Sequence, residues 1–119
     1  MTTTVQALTK ARKLINDGWV QGEYNWNDEE FCAMGSIYHA LGISADGSPN
    51  DLRVLGGKPT AYLANAIVLE GFRKKVGKSF ADQASSVIGF NDDEKTTKAM
   101  VLQAFGRAIR NAKRRHIHG

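Results

Sequence analysis

Apolar residues recur at three- and four-residue intervals along most of the chain, a pattern typical of helices with one buried face. It is clearest near the C-terminus, where we predict a helix from about Glu94. A first helix is predicted to begin after Thr3 or Thr4 and to end at about Asp17, where Gly18 stops it. No convincing run alternates apolar and polar residues, so the sequence predicts an all-α fold. The predicted buried face of the last helix consists of Val101, Ala104, Phe105, Ala108, Ile109 and Ala112.

Residues 18–41 are predicted to form a turn rich in aromatic and amide side chains, followed by a helix. Asn27 is predicted to cap this helix, because Glu30 three positions later completes an arrangement in which each side chain satisfies a free backbone donor. Gly35 lies inside the predicted helix, where glycine costs about 1 kcal/mol relative to alanine. We therefore expect another helix or a ligand to approach closely at Gly35. The predicted buried face carries Phe31, Met34, Tyr38 and Leu41.

Glycine, serine, proline, asparagine and aspartate are concentrated in residues 42–59, which predicts an irregular connection. At most one short helical turn is expected within it, between Ser48 and Gly56. A third helix is predicted from Ala61 to about Val76. Neither side of the connection could bury enough apolar surface alone, so we expect one domain and not two.

A short fourth helix is predicted to begin at Ser79, which opens a Ser-x-x-Asp capping pattern, and to end before Gly89. Residues 90–93 are then predicted to form a turn. All 119 residues are expected to form a single compact domain of about five helices, in which residues 113–119 form a basic tail. The predicted core includes Trp19, Phe31, Met34, Tyr38, Phe72, Phe105 and Ile109.

The composition indicates the cellular compartment of the protein. Hydrophobic residues make up 42% of the chain and charged residues 24%, as in ordinary soluble globular proteins. The single cysteine excludes an internal disulfide, which fits a reducing compartment. No window approaches the roughly 18 uninterrupted apolar residues of a membrane span. We expect a soluble, non-exported, cytoplasmic protein with no membrane partner.

The net charge of +4 raises the question of a nucleic-acid partner. Basic clusters fall near predicted helix ends and acidic clusters near predicted helix starts, as the helix dipole favours, so much of the pattern needs no partner. The last helix also lacks interleaved aromatic residues for base stacking, which favours a solvated face. The candidates for contact with an anion or a nucleic acid are Lys74, Lys75, Lys78, Arg107, Arg110 and Arg114.

Polar and aromatic residues near the two predicted turns are candidates for ligand contact. Asn91 and Asp92 are typical of a turn and a helix cap. The alternative is that their amide and carboxylate point into a pocket with Trp19 and bind the polar edge of a ligand. The candidate ligand-binding residues are Trp19, Cys32, Gly35, Asn91 and Asp92.

Cys32 is either a buried structural cysteine or a nucleophile. Three neighbouring carboxylates oppose a thiolate, and His39 would lie about 10 Å along the helix axis, too far for a catalytic hydrogen bond. We favour the structural role, because free cysteine is often buried.

Gly77-Lys78-Ser79 is similar to part of a phosphate-binding loop, but the glycine that this motif requires is replaced by Phe72. We therefore exclude a nucleotide-triphosphate site, while a weaker anion site beside Ser79 stays open. His116 and His118 alone are weak evidence for a metal, and a flexible charged tail explains them better. No metal or cofactor is predicted.

Three short motifs resemble those of a family of small proteins of unknown function found in actinobacteria and their phages. They are Gly18-Trp19, residues 32–36 (CAMGS) and Phe90-Asn91-Asp92, which correspond in order and spacing to the family's GW, CAxGA and WND. Ser36 replaces the usual alanine and Phe90 the usual tryptophan. The resemblance implies a phage or prophage origin, hence the host cell cytoplasm, and a fold in which the three motifs meet. It implies no catalytic residue.

These observations favour a non-enzymatic, phage-associated accessory protein that binds a small anionic molecule, such as a nucleotide, or a host protein. One alternative is non-specific nucleic-acid binding through the basic C-terminal helix. A second is a cysteine-dependent hydrolase or transferase. The amphipathic last helix also leaves a homo-oligomer open.

Overall fold

Five helices and one short hairpin make up the part of the chain that the computed structural model describes, residues 2–44 and 49–114. The all-α prediction and the single domain are confirmed. The helices are α1 (Thr4–Asp17), α2 (Ala33–Leu41), α3 (Pro49–Leu69), α4 (Phe80–Asp92) and α5 (Lys98–Lys113). The hairpin consists of the antiparallel strands β1 (Asn25–Trp26) and β2 (Glu30–Phe31).

Helix α1 has the predicted bounds. The Thr3 hydroxyl accepts a hydrogen bond from the Gln6 amide, and the Gln6 side chain accepts one from the Thr3 amide, which satisfies two free donors. Gly18 ends the helix in an extended conformation. The buried face, which packs against α2 and α5, carries Ala7, Leu8, Ala11 and Ile15.

Helix α5 buries the predicted face but begins four residues after Glu94, at Lys98. Its N-cap is Thr97, whose hydroxyl accepts a hydrogen bond from the Met100 amide at 3.2 Å. A separate turn precedes the cap, in which the Thr96 amide donates to the Asp93 carbonyl. Most of the predicted face is buried, Ile109 is partly buried, and Asn111 is an additional buried residue.

The predicted start of the second helix at Asn27 is wrong. Asn27 and Asp28 have positive φ angles of 53° and 56°, and the Glu29 amide donates to the Trp26 carbonyl, so these residues form the turn of the hairpin. Asparagine and aspartate tolerate this left-handed conformation, which the favoured hairpin turns require. Helix α2 begins only at Ala33, with Cys32 as its N-cap, and ends at Gly42 as predicted.

The predicted irregular connection over residues 42–59 is also wrong in its second half, because α3 is continuous from Pro49 to Leu69. Proline is well suited to a first helical position. Pro59 lies inside the helix, and Gly56 is buried under the Tyr38 ring. Tertiary packing therefore overrides the poor helix propensity of this stretch. The predicted cap Ser48 lies outside the described residues.

Helix α3 ends earlier than the predicted Val76. Gly71 has a φ of 82°, the Phe72 amide donates to the Ile67 carbonyl, and the Gly71 amide donates to the Val68 carbonyl. This is the hydrogen-bond pattern of a Schellman motif, which a glycine at this position favours.

Helix α4 begins after Ser79 as predicted, but it continues through Gly89 to Asp92. The predicted turn over residues 90–93 is therefore wrong, since most of it is the last helical turn. Phe90 is buried and stacks on Phe72, with the ring centroids 5.3 Å apart. That contact extends the helix across the glycine at which the sequence favoured a stop.

The core lies between α1, α2, α3 and α5, with α4 packed mainly on α3. Of the predicted core residues, Phe31, Met34, Tyr38 and Phe105 are buried. Trp19, Phe72 and Ile109 are partly buried and pack against that core.

Candidate functional site

The three sequence motifs meet around the side chain of Asn91, which is fully buried. Its Oδ1 accepts hydrogen bonds from the Trp19 indole N–H at 2.8 Å and from the Ala33 amide at 2.9 Å. Its Nδ2 donates to the Val20 carbonyl at 3.1 Å and to Asp92 Oδ1 at 3.0 Å. We call these five residues the motif junction. It ties the end of α4 to the start of α2 and to the segment after α1.

The Asn91 amide has no hydrogen-bonding capacity left for a ligand. A side-chain amide offers two donors and an acceptor oxygen with two lone pairs, and each is used within the motif junction. The Trp19 N–H is used there as well. In this conformation Asn91 and Trp19 hold chain segments together, which differs from the ligand contact considered from the sequence.

Three further hydrogen bonds at the end of α4 and its C-cap fix the chain that leads into the hairpin. Asp92 Oδ1 accepts a hydrogen bond from the Gly22 amide at 2.9 Å. The Gln21 side chain donates to the backbone carbonyls of Asn91 and Asp93, at 3.0 and 2.9 Å. Asp92 is itself exposed, and its second carboxylate oxygen accepts no hydrogen bond among the described residues.

The close approach expected at Gly35 comes from the chain itself. A Cβ at this position would lie 2.6 Å from the Tyr24 carbonyl carbon and would collide with the Tyr24 oxygen. A Cβ at Gly18 would likewise collide with the Glu29 carbonyl oxygen. Two motif glycines therefore leave room for the hairpin backbone, and neither faces an open ligand pocket.

Cys32 caps α2, and its Sγ accepts a hydrogen bond from the Gly35 amide at 3.3 Å. The side chain is buried, as predicted for a structural cysteine. Burial raises the pKa of the thiol above its usual 9.0, although backbone N–H groups at the helix start act in the opposite direction. His39 contacts the Phe31 ring instead, with centroids 4.8 Å apart. The thiol is therefore protonated at neutral pH, which gives a nucleophilic role no support.

A small cavity brings Cys32 and Asp92 together. Its volume is about 150 Å³, and it is lined by Gly22, Glu23, Tyr24, Cys32, Ile88 and Asp92. Sites for small-molecule ligands usually enclose roughly 300–1,000 Å³, so this cavity is too small for such a ligand.

The outer side of the hairpin combines exposed aromatic and acidic side chains. Trp26 is 53% exposed and Tyr24 is 40% exposed. The acidic residues on the same segment, which are all exposed, are Glu23, Asp28, Glu29 and Glu30. We call these six side chains the hairpin face. Sequence reasoning missed this surface because Asp28, Glu29 and Glu30 were assigned to the first turn of the second helix. The adjacent residues Asn27 and Asp28 both tolerate positive φ angles, and this pair was the available signal for a hairpin turn.

A second surface feature is a depression of about 460 Å³ between the loop after α3 and helix α4. Among its lining residues are Arg73, Lys75, Asp82, Ser85 and Ser86, with Gly77 and Gly89 also at its surface. We call it the basic depression. Of the predicted anion contacts in this region only Lys75 lines it, while Lys74 and Lys78 are exposed on the same loop.

The residues of α5 that were predicted to contact an anion or a nucleic acid differ in whether they are already paired with a carboxylate. Arg107 forms an ion pair with Glu70 at 3.0 Å, and Gln103 donates to the same carboxylate at 2.6 Å. Arg110 and Arg114 are exposed and belong to neither of the two ion pairs of the described residues. Nucleic-acid binding through this helix stays a prediction, with fewer free cations than the sequence suggested.

Residues 2–44 and 49–114 give no support to a metal site or a membrane-spanning helix. Within these ranges, no group of three or more His, Cys, Asp or Glu side chains could hold a metal ion. None of the helices described there combines the length and apolar character that crossing a bilayer requires.

The chain belongs to the family of unknown function DUF6197, whose match covers residues 1–111. No curated protein and no solved structure matches the chain. The match takes in the motif junction, the hairpin face and the basic depression, and it assigns a role to none of them.

Proposed function

We propose that this member of the DUF6197 family is a non-enzymatic protein-binding module that engages its partner through the hairpin face. The observation that carries the proposal is the exposure of Trp26 and Tyr24 on a hairpin whose base is fixed by buried hydrogen bonds. Tryptophan and tyrosine are enriched among the residues that dominate binding energy at protein interfaces. The Tyr24 ring also lies beside the buried Tyr38 ring, with the centroids 6.0 Å apart, whereas Trp26 has no ring contact among the described residues.

The hairpin is ordered by contacts with the rest of the protein. Two strands of two residues are too short to be stable alone. The Phe31 amide donates to the Gly18 carbonyl at 2.9 Å, the Val20 amide to the Phe31 carbonyl at 3.2 Å, and the Cys32 amide to the Tyr24 carbonyl at 3.1 Å. A surface ordered before binding loses less conformational entropy when a partner docks.

The charge of the hairpin face indicates the chemistry of the partner. Four exposed carboxylates lie on the same segment as the two aromatic rings, although the whole chain carries a net charge of +4. A complementary surface has an apolar cleft for Trp26 and a rim of lysine and arginine side chains. The resemblance implies a phage origin, and we include that origin in the proposal. The partner is then a cytoplasmic protein of the host cell.

Affinity capture with matched variants tests the proposal. The wild-type protein, Trp26→Ala and Val54→Ala are each immobilised and exposed to a host extract at low and high salt. Val54 is 66% exposed on α3 and is the matched control for losing an exposed apolar side chain. We expect a protein that the wild type and Val54→Ala retain and that Trp26→Ala loses, with affinity at least about 30-fold weaker for a hot-spot residue.

The charge argument is tested on the same captured protein. Glu29→Lys and Glu30→Lys should weaken its binding, and high salt should slow its association with the wild type. If Trp26→Ala retains the same proteins as the wild type, the hairpin face is not the binding surface and the proposal is wrong.

A further inference from the structure

We infer that the basic depression binds the phosphate group of a small phosphorylated molecule. It lies on α4 and the loop after α3, and none of its lining residues belongs to the hairpin face. Its volume of about 460 Å³ falls within the range of small-molecule sites. The inference is independent of the proposed protein partner.

Arg73 is the central residue of this site. Its side chain is half-buried, and its guanidinium lies over Gly89, where a Cβ would come within 2.7 Å of Nη2. The two ion pairs found among the described residues do not include it. An arginine held against a helix without a carboxylate partner presents its planar fork to an incoming anion, and phosphate oxygens match that geometry.

The other lining groups complete the chemistry of a phosphate site. Lys75 adds a second positive charge, and the Ser85 and Ser86 hydroxyls are donors that form no hydrogen bond among the described residues. Asp82 supplies an acceptor, which suits a hydroxyl group elsewhere on the same ligand. The lining has only one arginine and one lysine beside hydroxyl groups, which favours a small phosphorylated and hydroxylated molecule, such as a nucleoside monophosphate, over a continuous nucleic-acid backbone that needs a longer row of positive charges.

Titration followed by amide NMR tests the inference. Inorganic phosphate, adenosine monophosphate and adenosine are added separately at constant ionic strength. We expect saturable shifts of the amide signals of Gly77, Ser85, Ser86 and Gly89 with the first two compounds and none with adenosine. Tighter binding of the monophosphate identifies a phosphorylated metabolite as the ligand, and equal binding identifies phosphate itself.

Two variants distinguish phosphate binding at the basic depression from attraction to positive charge anywhere on the surface. Arg73→Gln should weaken phosphate binding by about tenfold or more, since a charge-assisted hydrogen bond is lost. Arg110→Gln removes an exposed arginine from α5 and should leave the affinity unchanged.

Gly89→Ala gives a sharper test, because it changes no charge. The new methyl group must displace the Arg73 guanidinium, while alanine favours the helix. We expect weaker phosphate binding together with unchanged or increased thermal stability. The inference is wrong if the amide shifts do not saturate and spread over all basic surfaces, or if Arg110→Gln weakens binding as much as Arg73→Gln. It is also wrong if a single-stranded oligonucleotide binds through these residues more tightly than the monophosphate.

Discussion

The two tryptophans of this protein occupy opposite kinds of environment. Trp19 packs against the core, and its indole N–H donates to Asn91 at 2.8 Å. Trp26 is 53% exposed, and its indole N–H has no partner among the described residues. The motif junction around Trp19 has the features of a folded interior, whereas the hairpin face around Trp26 has those of a binding surface. The motif residues of this chain therefore form buried structural contacts, and the surface that we propose binds a partner lies several residues away from them.

The largest expected effect of a single substitution is at Asn91. Asn91→Ala leaves the Trp19 N–H, the Ala33 amide and the Val20 carbonyl without their partner. We expect the free energy of unfolding to fall by about 3–5 kcal/mol, measured by urea denaturation followed by circular dichroism. Asp92→Asn is the control: it keeps an acceptor for the Gly22 amide and should cost less than about 1 kcal/mol. Similar losses for both variants would contradict the central role of Asn91.

A glycine pair tests whether the hairpin backbone occupies the space beside α2. Gly35→Ala collides with the Tyr24 carbonyl and should lower the free energy of unfolding by about 2–3 kcal/mol. At Gly57 in α3 a Cβ meets nothing within 4 Å, so Gly57→Ala should stabilise the protein by up to about 1 kcal/mol. Equal effects of the two substitutions would show that the hairpin is not held against Gly35.

Two buried titratable groups, Cys32 at the N-cap of α2 and Tyr38 within it, should make the stability of the protein sensitive to alkaline pH. Burial raises the pKa of Cys32 above 9.0, and burial, with smaller effects from Tyr24 and Cys32, raises the pKa of Tyr38 to about 12. As the pH rises, these groups lose their protons in the unfolded chain before they do so in the folded protein. Their contribution to the free energy of unfolding is therefore fully present below pH 9.0 and is lost as the pH rises through the folded pKa values. Urea denaturation at increasing pH should show a decline that starts later in Cys32→Ser, which keeps a capping side chain. An identical decline in both proteins would assign it to other groups.

The smallest expected effect on stability is at the hairpin face. Trp26→Ala removes an exposed ring and should change the free energy of unfolding by no more than about 0.5 kcal/mol, measured as for Asn91→Ala. A loss of several kcal/mol would mean that Trp26 supports the fold, and the contrast between the two tryptophans would disappear.

The sequence predicts those parts of the fold that depend on local signals. Thr3, Ser79 and Gly42 mark helix boundaries because a cap or a left-handed glycine acts within one turn of the chain. The continuity of α3 through Gly56 and Pro59 could not be predicted in the same way, because it depends on packing between segments distant in the sequence.

The candidate residues show the same limit. The resemblance implied that the three motifs meet, and their hydrogen bonds around Asn91 confirm it. Whether Asn91 faces a ligand or the chain depends on where the Val20 carbonyl and the Ala33 amide lie, and no sequence spacing contains that information. Arg73 was missed beside Lys74 and Lys75 because only the tertiary fold places it over Gly89.

Hydrogen exchange at the base of the hairpin tests most directly whether the motif junction holds the hairpin face in place. The probes are the amides of Ala33, bonded to Asn91 Oδ1, and Cys32, bonded to the Tyr24 carbonyl. In the wild-type protein we predict protection comparable to that of the buried turns of α1 and α5, and selective loss of that protection in Asn91→Ala. Exchange of both amides at the rate of an exposed loop in the wild type would contradict the account.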